Sequence, residues 1–169
     1  MKKVLIIDTS ILCVYLEVPG KNTCGSDNEQ WDKKRVDDLL KKEEKESTTF
    51  VLPLAAIIET GNHITQASSK RYEMAQALAK MMVAVAEEKT PWAAFTHQSG
   101  LWEAEGLKKL AAEWSTLAAQ KISMGDVTIK TVAEYYAKMS FTVEILTGDN
   151  GLKAYQPTTP VQTPRRRRS

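Results

Sequence analysis

At 169 residues the chain has the length of one ordinary domain and can bury a full core without disulfide or zinc staples. Its two cysteines, Cys13 and Cys24, make no CxxC or Cys/His spacing, which excludes a disulfide framework or zinc module and points to a reducing, cytoplasmic setting. The formal net charge is +2, but Arg165, Arg166, Arg167 and Arg168 supply it: without them the acidic residues outnumber the basic ones.

The first element is a strand, Lys3 to Ile7, read from the branched aliphatics of KKVLIID. That run meets Asp8 too soon to serve as a signal-peptide core or membrane span, so no membrane association is expected. Ile11 to Leu16 turns into a short helix before Pro19 and Gly20. A loop through Gly25 to Asn28 leads to a charged helix, Glu29 to Glu46, with Trp31, Val36, Leu39 and Leu40 as its apolar face. Thr48 to Leu52 is a second strand. Pro53, which can open a helix without losing a bond, starts the next one and carries it to about Ser68. There Leu54, Ile57, Ile58 and Ile64 form the apolar stripe and Glu59 points away from it.

A helix over Ser69 to Lys89 follows, with Ala75, Leu78, Ala79, Met82, Val83 and Ala86 at helical spacing as its packing face. Trp92 to His97 reads as a third strand, and Leu101 to Gln120 as a helix packed through Leu107, Leu110, Trp114 and Leu117. After a helix from Gly125 to Lys138 comes a strand, Thr142 to Leu146, and then the turn Thr147 to Gly151. Strands alternating with helices predict an α/β fold, a parallel sheet covered on both faces, whose chemistry gathers at the carboxyl ends of the strands.

Two aspartates stand at that edge. Asp8 ends the first strand and Asp149 lies just past the last, so a shared metal site competes with two local roles: an N-cap at Asp8 and an Asx turn at Asp149. Asp126 follows Ser123 at capping-box spacing and so opens a helix near the same edge. Glu59 reads equally well as a solvated acid. His63 and His97 read as packing or surface residues, since no Ser or Cys nucleophile accompanies them.

Taken in order, VLIIDTSIL, LPLAAIIETGNHI, GDVTIKTVAEYYA and VEILTGDNGL resemble the four motifs of the PIN-domain nucleases. The resemblance covers Lys3 to Leu152. Prolines interleaved with threonines predict a disordered Pro/Thr- and Arg-rich tail over 157–169, while the resemblance implies a three-layer α/β/α fold with a central parallel sheet and a nuclease domain over residues 1–156. It also implies a catalytic and metal-binding set of Asp8, Glu59, Asp126 and Asp149, with Thr9, Ser10 and Thr147 orienting those carboxylates from behind. Two departures accompany it: the Leu101 to Gln120 helix is an insertion, and the usual final strand is missing because Lys153 to Gln162 is broken by prolines.

The implied activity is Mg²⁺- or Mn²⁺-dependent cleavage of RNA, since hard carboxylate oxygens suit those ions and the ions relieve carboxylate repulsion. A toxin or defence role, an antitoxin-like regulatory partner and a homo-oligomer fall within the same expectation. Lys130 and the four tail arginines are candidate phosphate contacts; an ion pair on its own helix is the plainer reading of Lys130. Two other classes stay open. One is a metal-dependent phosphohydrolase of another α/β family, though a dehalogenase-type phosphatase wants an acid where Ser10 stands. The other is an inactive module of the PIN type that binds RNA or protein.

Overall fold

The aliphatic run after Lys3 becomes the central strand because its residues have somewhere apolar to go on both sides. In the computed structural model, which describes residues 1–159, β1 (Lys3–Ile7) lies between β2 (Thr49–Val51) and β3 (Thr142–Leu146), all parallel. Alternation along β1 sends Val4 and Ile6 into one core with Ile129, Val132, Tyr136 and Ile145. Leu5 and Ile7 enter the other with Ile11, Leu12, Phe50, Leu52 and Ala56. Full burial of four such side chains is worth about 2 kcal/mol each, which explains why the strand is wholly aliphatic from Val4 to Ile7.

Helices α1 (Thr9–Tyr15), α2 (Lys33–Lys45), α3 (Leu54–Gln66) and α4 (Arg71–Ala86) cover the Leu5 and Ile7 side. The opposite face is covered by α7 (Met124–Lys138), with α5 (Ser99–Trp102) and α6 (Ala104–Ala119) packed beside it. A short α8 (Asn150–Lys153) follows β3. The result is the expected three-layer α/β/α architecture with a parallel sheet. Among the described residues no helix is long and apolar enough to cross a membrane. The four tail arginines lie outside the described residues.

One expectation about the sheet needs correction. The predicted strand from Trp92 to His97 is reduced to one bridge, Phe50 to Trp92, held by bonds from Phe50 N to Pro91 O and from Ala93 N to Phe50 O, each 2.8 Å. Pro91 has no N–H to extend a ladder, and Phe95–Gln98 winds into a 3₁₀ turn. That turn delivers the buried Gln98 amide to Leu52 O (2.9 Å) and Leu54 N (3.2 Å), bridging the backbone on either side of Pro53. On the other edge, beyond β3, no further strand forms among the described residues. Instead the Gln156 side chain accepts from Ile145 N at 2.8 Å and Lys153 Nζ donates to Ile145 O at 2.8 Å, satisfying groups that a fourth strand would have paired.

Four helical readings shift as well: the charged helix predicted from Glu29 starts only at Lys33, and Trp31, expected on its apolar face, is bridged to Cys24 before it. The predicted Leu101 to Gln120 helix is broken at Glu103, whose backbone is extended, and Leu107 is exposed rather than packed. On α3, Ile58 faces solvent while Glu59 turns inward. On α4 the buried residues are Met74, Leu78 and Val85; Ala75, Ala79, Met82, Val83 and Ala86 face out. That helix is apolar on both sides, so periodicity finds a stripe without saying which one the core takes.

A charged clamp closes the amino end of the sheet. Lys3 Nζ on β1 reaches Glu43 Oε1 of α2 at 2.6 Å and Glu144 Oε2 of β3 at 2.8 Å, while Thr48 Oγ1 donates to Glu43 Oε2 at 2.5 Å. Burial pushes the Glu43 carboxyl up, but the bonds from Lys3 and Thr48 outweigh it and hold the group below its usual range. The stability this contributes is present above the ordinary glutamate range and is lost as pH falls through the lowered folded-state value. Glu43→Gln is expected to cost about 2 kcal/mol at neutral pH, because it leaves a half-buried ammonium with one partner fewer. Urea unfolding of the two proteins should show that gap narrowing as the pH is lowered.

Candidate functional site: a carboxylate cluster at the sheet edge

Strand order β2-β1-β3 means that the chain leaves β1 toward one edge and returns past it to the other, so the crevice between β1 and β3 is where such sheets bind ligands. The β1–β3 ladder runs to its end, pairing Ile7 with Leu146 and continuing as Asp8 N to Leu146 O at 3.0 Å. Asp8 and Thr147 are thereby set side by side at the mouth of that crevice.

Asp8 is 6% exposed, and one of its oxygens is fully engaged. Oδ2 accepts from Ser10 Oγ (2.8 Å), Thr147 Oγ1 (2.8 Å) and, as the N-cap of α1, Ser10 N (3.3 Å). The capping role and the site role expected of this residue are therefore compatible: one oxygen does the capping. Ser10 Oγ also accepts from Gly148 N at 3.0 Å, and Thr147 Oγ1 accepts from Asp149 N at 3.0 Å. Two hydroxyls thus tie the turn after β3 to the turn after β1.

Asp149 is exposed and caps α8 through Oδ1, which accepts from Gly151 N (2.7 Å) and Leu152 N (3.3 Å). Glu59 is half-buried on α3, and its Oε2 accepts from Thr9 Oγ1 at 3.0 Å. A Cβ on Gly125 would lie 2.3 Å from Glu59 Oε1, so the carboxylate sits directly over the first turn of α7. Asp126 is in that same turn, its N–H donating to the Ser123 hydroxyl at 3.0 Å, as the capping spacing predicts.

Asp126 feels the other three acids. Burial raises the Asp126 carboxyl above its usual range, the Ser123 hydroxyl opposes that, and the charges of Asp8, Asp149 and Glu59 push the same way as burial. Carboxylates from α3 and from the turns after β1 and β3 thus all bear on the Asp126 carboxyl in the first turn of α7. Among the described residues, Asp8 Oδ1, Asp149 Oδ2 and Glu59 Oε1 accept no hydrogen bond, so each of these acids keeps an oxygen for another partner. Beside Asp126 and Asp149 a cavity of about 300 Å³ opens, with Lys121 and Tyr155 on its wall.

The other candidates fare differently. Lys130 pairs with Glu113 of α6 at 2.7 Å and with Glu134 at 3.1 Å, not with Asp126, and those two carboxylates hold its ammonium. His97 packs against Tyr136, its Nδ1 3.1 Å from the phenol oxygen. His63 is half-buried; burial, then Lys21, lower its pKa while Glu59 opposes.

Three residues of the site carried no sequence signal. Gly125 leaves room for Glu59. Gly148 lies so close to Cys24 that a Cβ would stand 2.6 Å from its Sγ, and Cys24 itself sits beside Ser10 and Asp8, its thiol raised chiefly by burial. The tight Cys24 and Gly148 contact packs the loop before α2 onto the turn after β3. No family model, curated protein or solved structure matches this chain.

Proposed function

We propose that the protein is a metal-dependent endoribonuclease of the PIN type, cutting RNA phosphodiesters with water. The observation that supports it most is the convergence of Asp8, Glu59, Asp126 and Asp149: four distant segments each place an acid in one neighbourhood, and three of those acids keep an oxygen without a partner. Capping accounts for one oxygen each of Asp8 and Asp149, but so much like charge at one edge opposes folding unless a cation joins it.

The donor set suits Mg²⁺ or Mn²⁺: all oxygen, negatively charged and backed by hydroxyls that fix the carboxylates. Asp8 and Asp149 would hold the ion directly, and Glu59 and Asp126 directly or through water. Bound there, the ion supplies positive charge against a phosphodiester and makes water more acidic. The remaining roles fall to the chain itself. Thr147 and Ser10 keep Asp8 from rotating, Thr9 does the same for Glu59, and Asp126, whose proton is held more tightly than usual, is suited to accept one from water. The cavity walled by Lys121 and Tyr155 gives a phosphate and a base a cation and a ring to meet. In a cell such an enzyme would need restraint, which an antitoxin-like partner could supply.

A second reading, a module of the same type that binds RNA or protein without cutting, is favoured by one observation. Among the described residues no three His, Cys, Asp or Glu side chains are arranged to hold an ion as they stand. Incubating the protein with labelled RNA and with p-nitrophenyl phosphate, each with Mn²⁺ or EDTA, separates these readings. Cleavage of RNA alone, lost in EDTA, is the expected outcome; ester hydrolysis alone points to a phosphohydrolase, and binding without cleavage to the inactive module.

Metal binding has a readout that needs no substrate. An ion held only by the assembled acids, at about a hundred times its dissociation constant, adds about 2.7 kcal/mol. For a domain of this size that raises the melting temperature by about 5 °C or more. Asp149→Asn should lose most of the shift. A wild-type melting curve indifferent to millimolar Mn²⁺ counts against a metal centre.

A further inference from the structure

A second cavity, of about 410 Å³, opens between α6, α7 and the 3₁₀ turn Phe95–Gln98, and its walls are pinned at three places. Lys130 of α7 ties Glu113 of α6 to Glu134 of its own helix. Elsewhere α5 and α6 meet backbone to backbone: a Cβ on Gly106 would stand 2.1 Å from Gly100 O, so that corner needs glycine. Gln98, bonded on both sides of Pro53, anchors the 3₁₀ turn. The space is therefore built into the fold.

Its lining offers three kinds of contact. The Tyr135 ring, 37% exposed, presents a flat apolar surface in a cavity that the buried Leu110 and Val132 also line. Glu113 and Glu134 reach the cavity too, each with Oε1 on Lys130 and, among the described residues, with Oε2 accepting no hydrogen bond. Lys109 and Lys138 are exposed and, among the described residues, pair with no carboxylate, unlike Lys108 and Lys130. We infer that this cavity binds a nucleoside phosphate: the base lies on Tyr135, ribose hydroxyls or an exocyclic amine donate to Glu113 and Glu134, and the phosphate meets Lys109 and Lys138. A bare anion would be repelled by the two glutamates, and a wholly apolar ligand would strand them without water. A nucleotide answers the ring, the acceptors and the cations together.

The size is right as well, since small-molecule sites enclose about 300–1,000 Å³. Tyr135 and Lys138 follow Asp126 on α7 by about 13 and 18 Å along the helix axis, so this cavity is separate from the carboxylate cluster. One wall comes from α5 and α6, the part of the chain that the PIN-like motifs leave out. The inference therefore does not depend on the nuclease reading. Its ligand is a free nucleotide or one unit of an RNA strand, which present the same groups.

Isothermal titration calorimetry of the full chain with AMP should give a dissociation constant at or below about 1 mM, with adenosine and inorganic phosphate each at least about tenfold weaker. EDTA in every buffer keeps metal and cleavage out of the readout, so an inactive nuclease leaves the test intact. Tyr135→Ala should weaken AMP by about five- to a hundredfold, the worth of one stacked base, while Tyr135→Phe keeps it. Lys109→Gln and Lys138→Gln should each weaken AMP and flatten its salt dependence while sparing adenosine. All three positions are exposed, so melting temperatures should hold. A labelled single-stranded oligoadenylate, titrated by fluorescence anisotropy, separates the two sources. Oligoadenylate binding that needs Tyr135, without AMP binding, assigns the cavity to a unit of an RNA strand; AMP binding alone assigns it to a free nucleotide. If neither binds, or if binding ignores the Tyr135 and lysine variants, the inference is overturned.

Discussion

Asp8→Asn should reduce Mn²⁺-dependent RNA cleavage by more than about a hundredfold, since loss of groups that merely orient a metal ligand already costs ten- to a hundredfold. The fold should survive. Asn caps helices as well as Asp does, and its single carbonyl oxygen can take the three bonds now made to Oδ2 from Ser10 N, Ser10 Oγ and Thr147 Oγ1. Its amide nitrogen then occupies the place of Oδ1, among the other acids, where a donor is welcome and a charge is not. Melting without metal should therefore stay level or rise, while the response to Mn²⁺ disappears. Asp8→Ala makes the contrast: it strips both hydroxyls and the cap of their acceptor and should cost about 1–3 kcal/mol. An Asn variant that cleaves at the wild-type rate removes Asp8 from the chemistry.

How much of this was legible depends on whether the signal was local. Asp8 and Asp149 stand out because an aliphatic run announces a buried strand, and a charge at its end marks the edge where such sheets work. The Ser123 cap is likewise a spacing, readable in one dimension. Glu59 is different. Its helical angle says solvent, and it turns inward only because Thr9 offers a hydroxyl and Gly125 leaves a gap, both distant in the chain. The lost strand after Trp92 has a similar cause: Gln98 is drawn into a 3₁₀ turn by the amide and carbonyl stranded around Pro53, a demand made 45 residues or so earlier. On α4 the pattern was read but assigned to the wrong side, since two apolar stripes on one helix are equivalent until a neighbour chooses one.

Gly125→Ala is expected to separate activity from stability. The new methyl would arrive 2.3 Å from Glu59 Oε1 and 3.2 Å from its Cδ, a separation no pair of atoms tolerates, whereas Ala55 Cβ at 3.7 Å is an ordinary contact. What must give way is the far end of a flexible side chain, so the backbone has no reason to move. Alanine is also the better helix former by up to about 1 kcal/mol, and the site is within the first turn of α7, where that gain is open to it. The melting temperature should thus hold or rise slightly. Glu59 would swing off α7, lose the bond from Thr9 and leave the neighbourhood of Asp126. If Glu59 serves the reaction, cleavage should fall about as far as it does in Glu59→Gln, and adding Gly125→Ala to that variant should cause little further loss, since both remove the same carboxylate. Full activity in Gly125→Ala, with an unchanged fold, would show that the position of Glu59 over α7 is irrelevant to catalysis. A drop in both single variants that multiplies in the double would mean that Gly125 acts through something other than this acid.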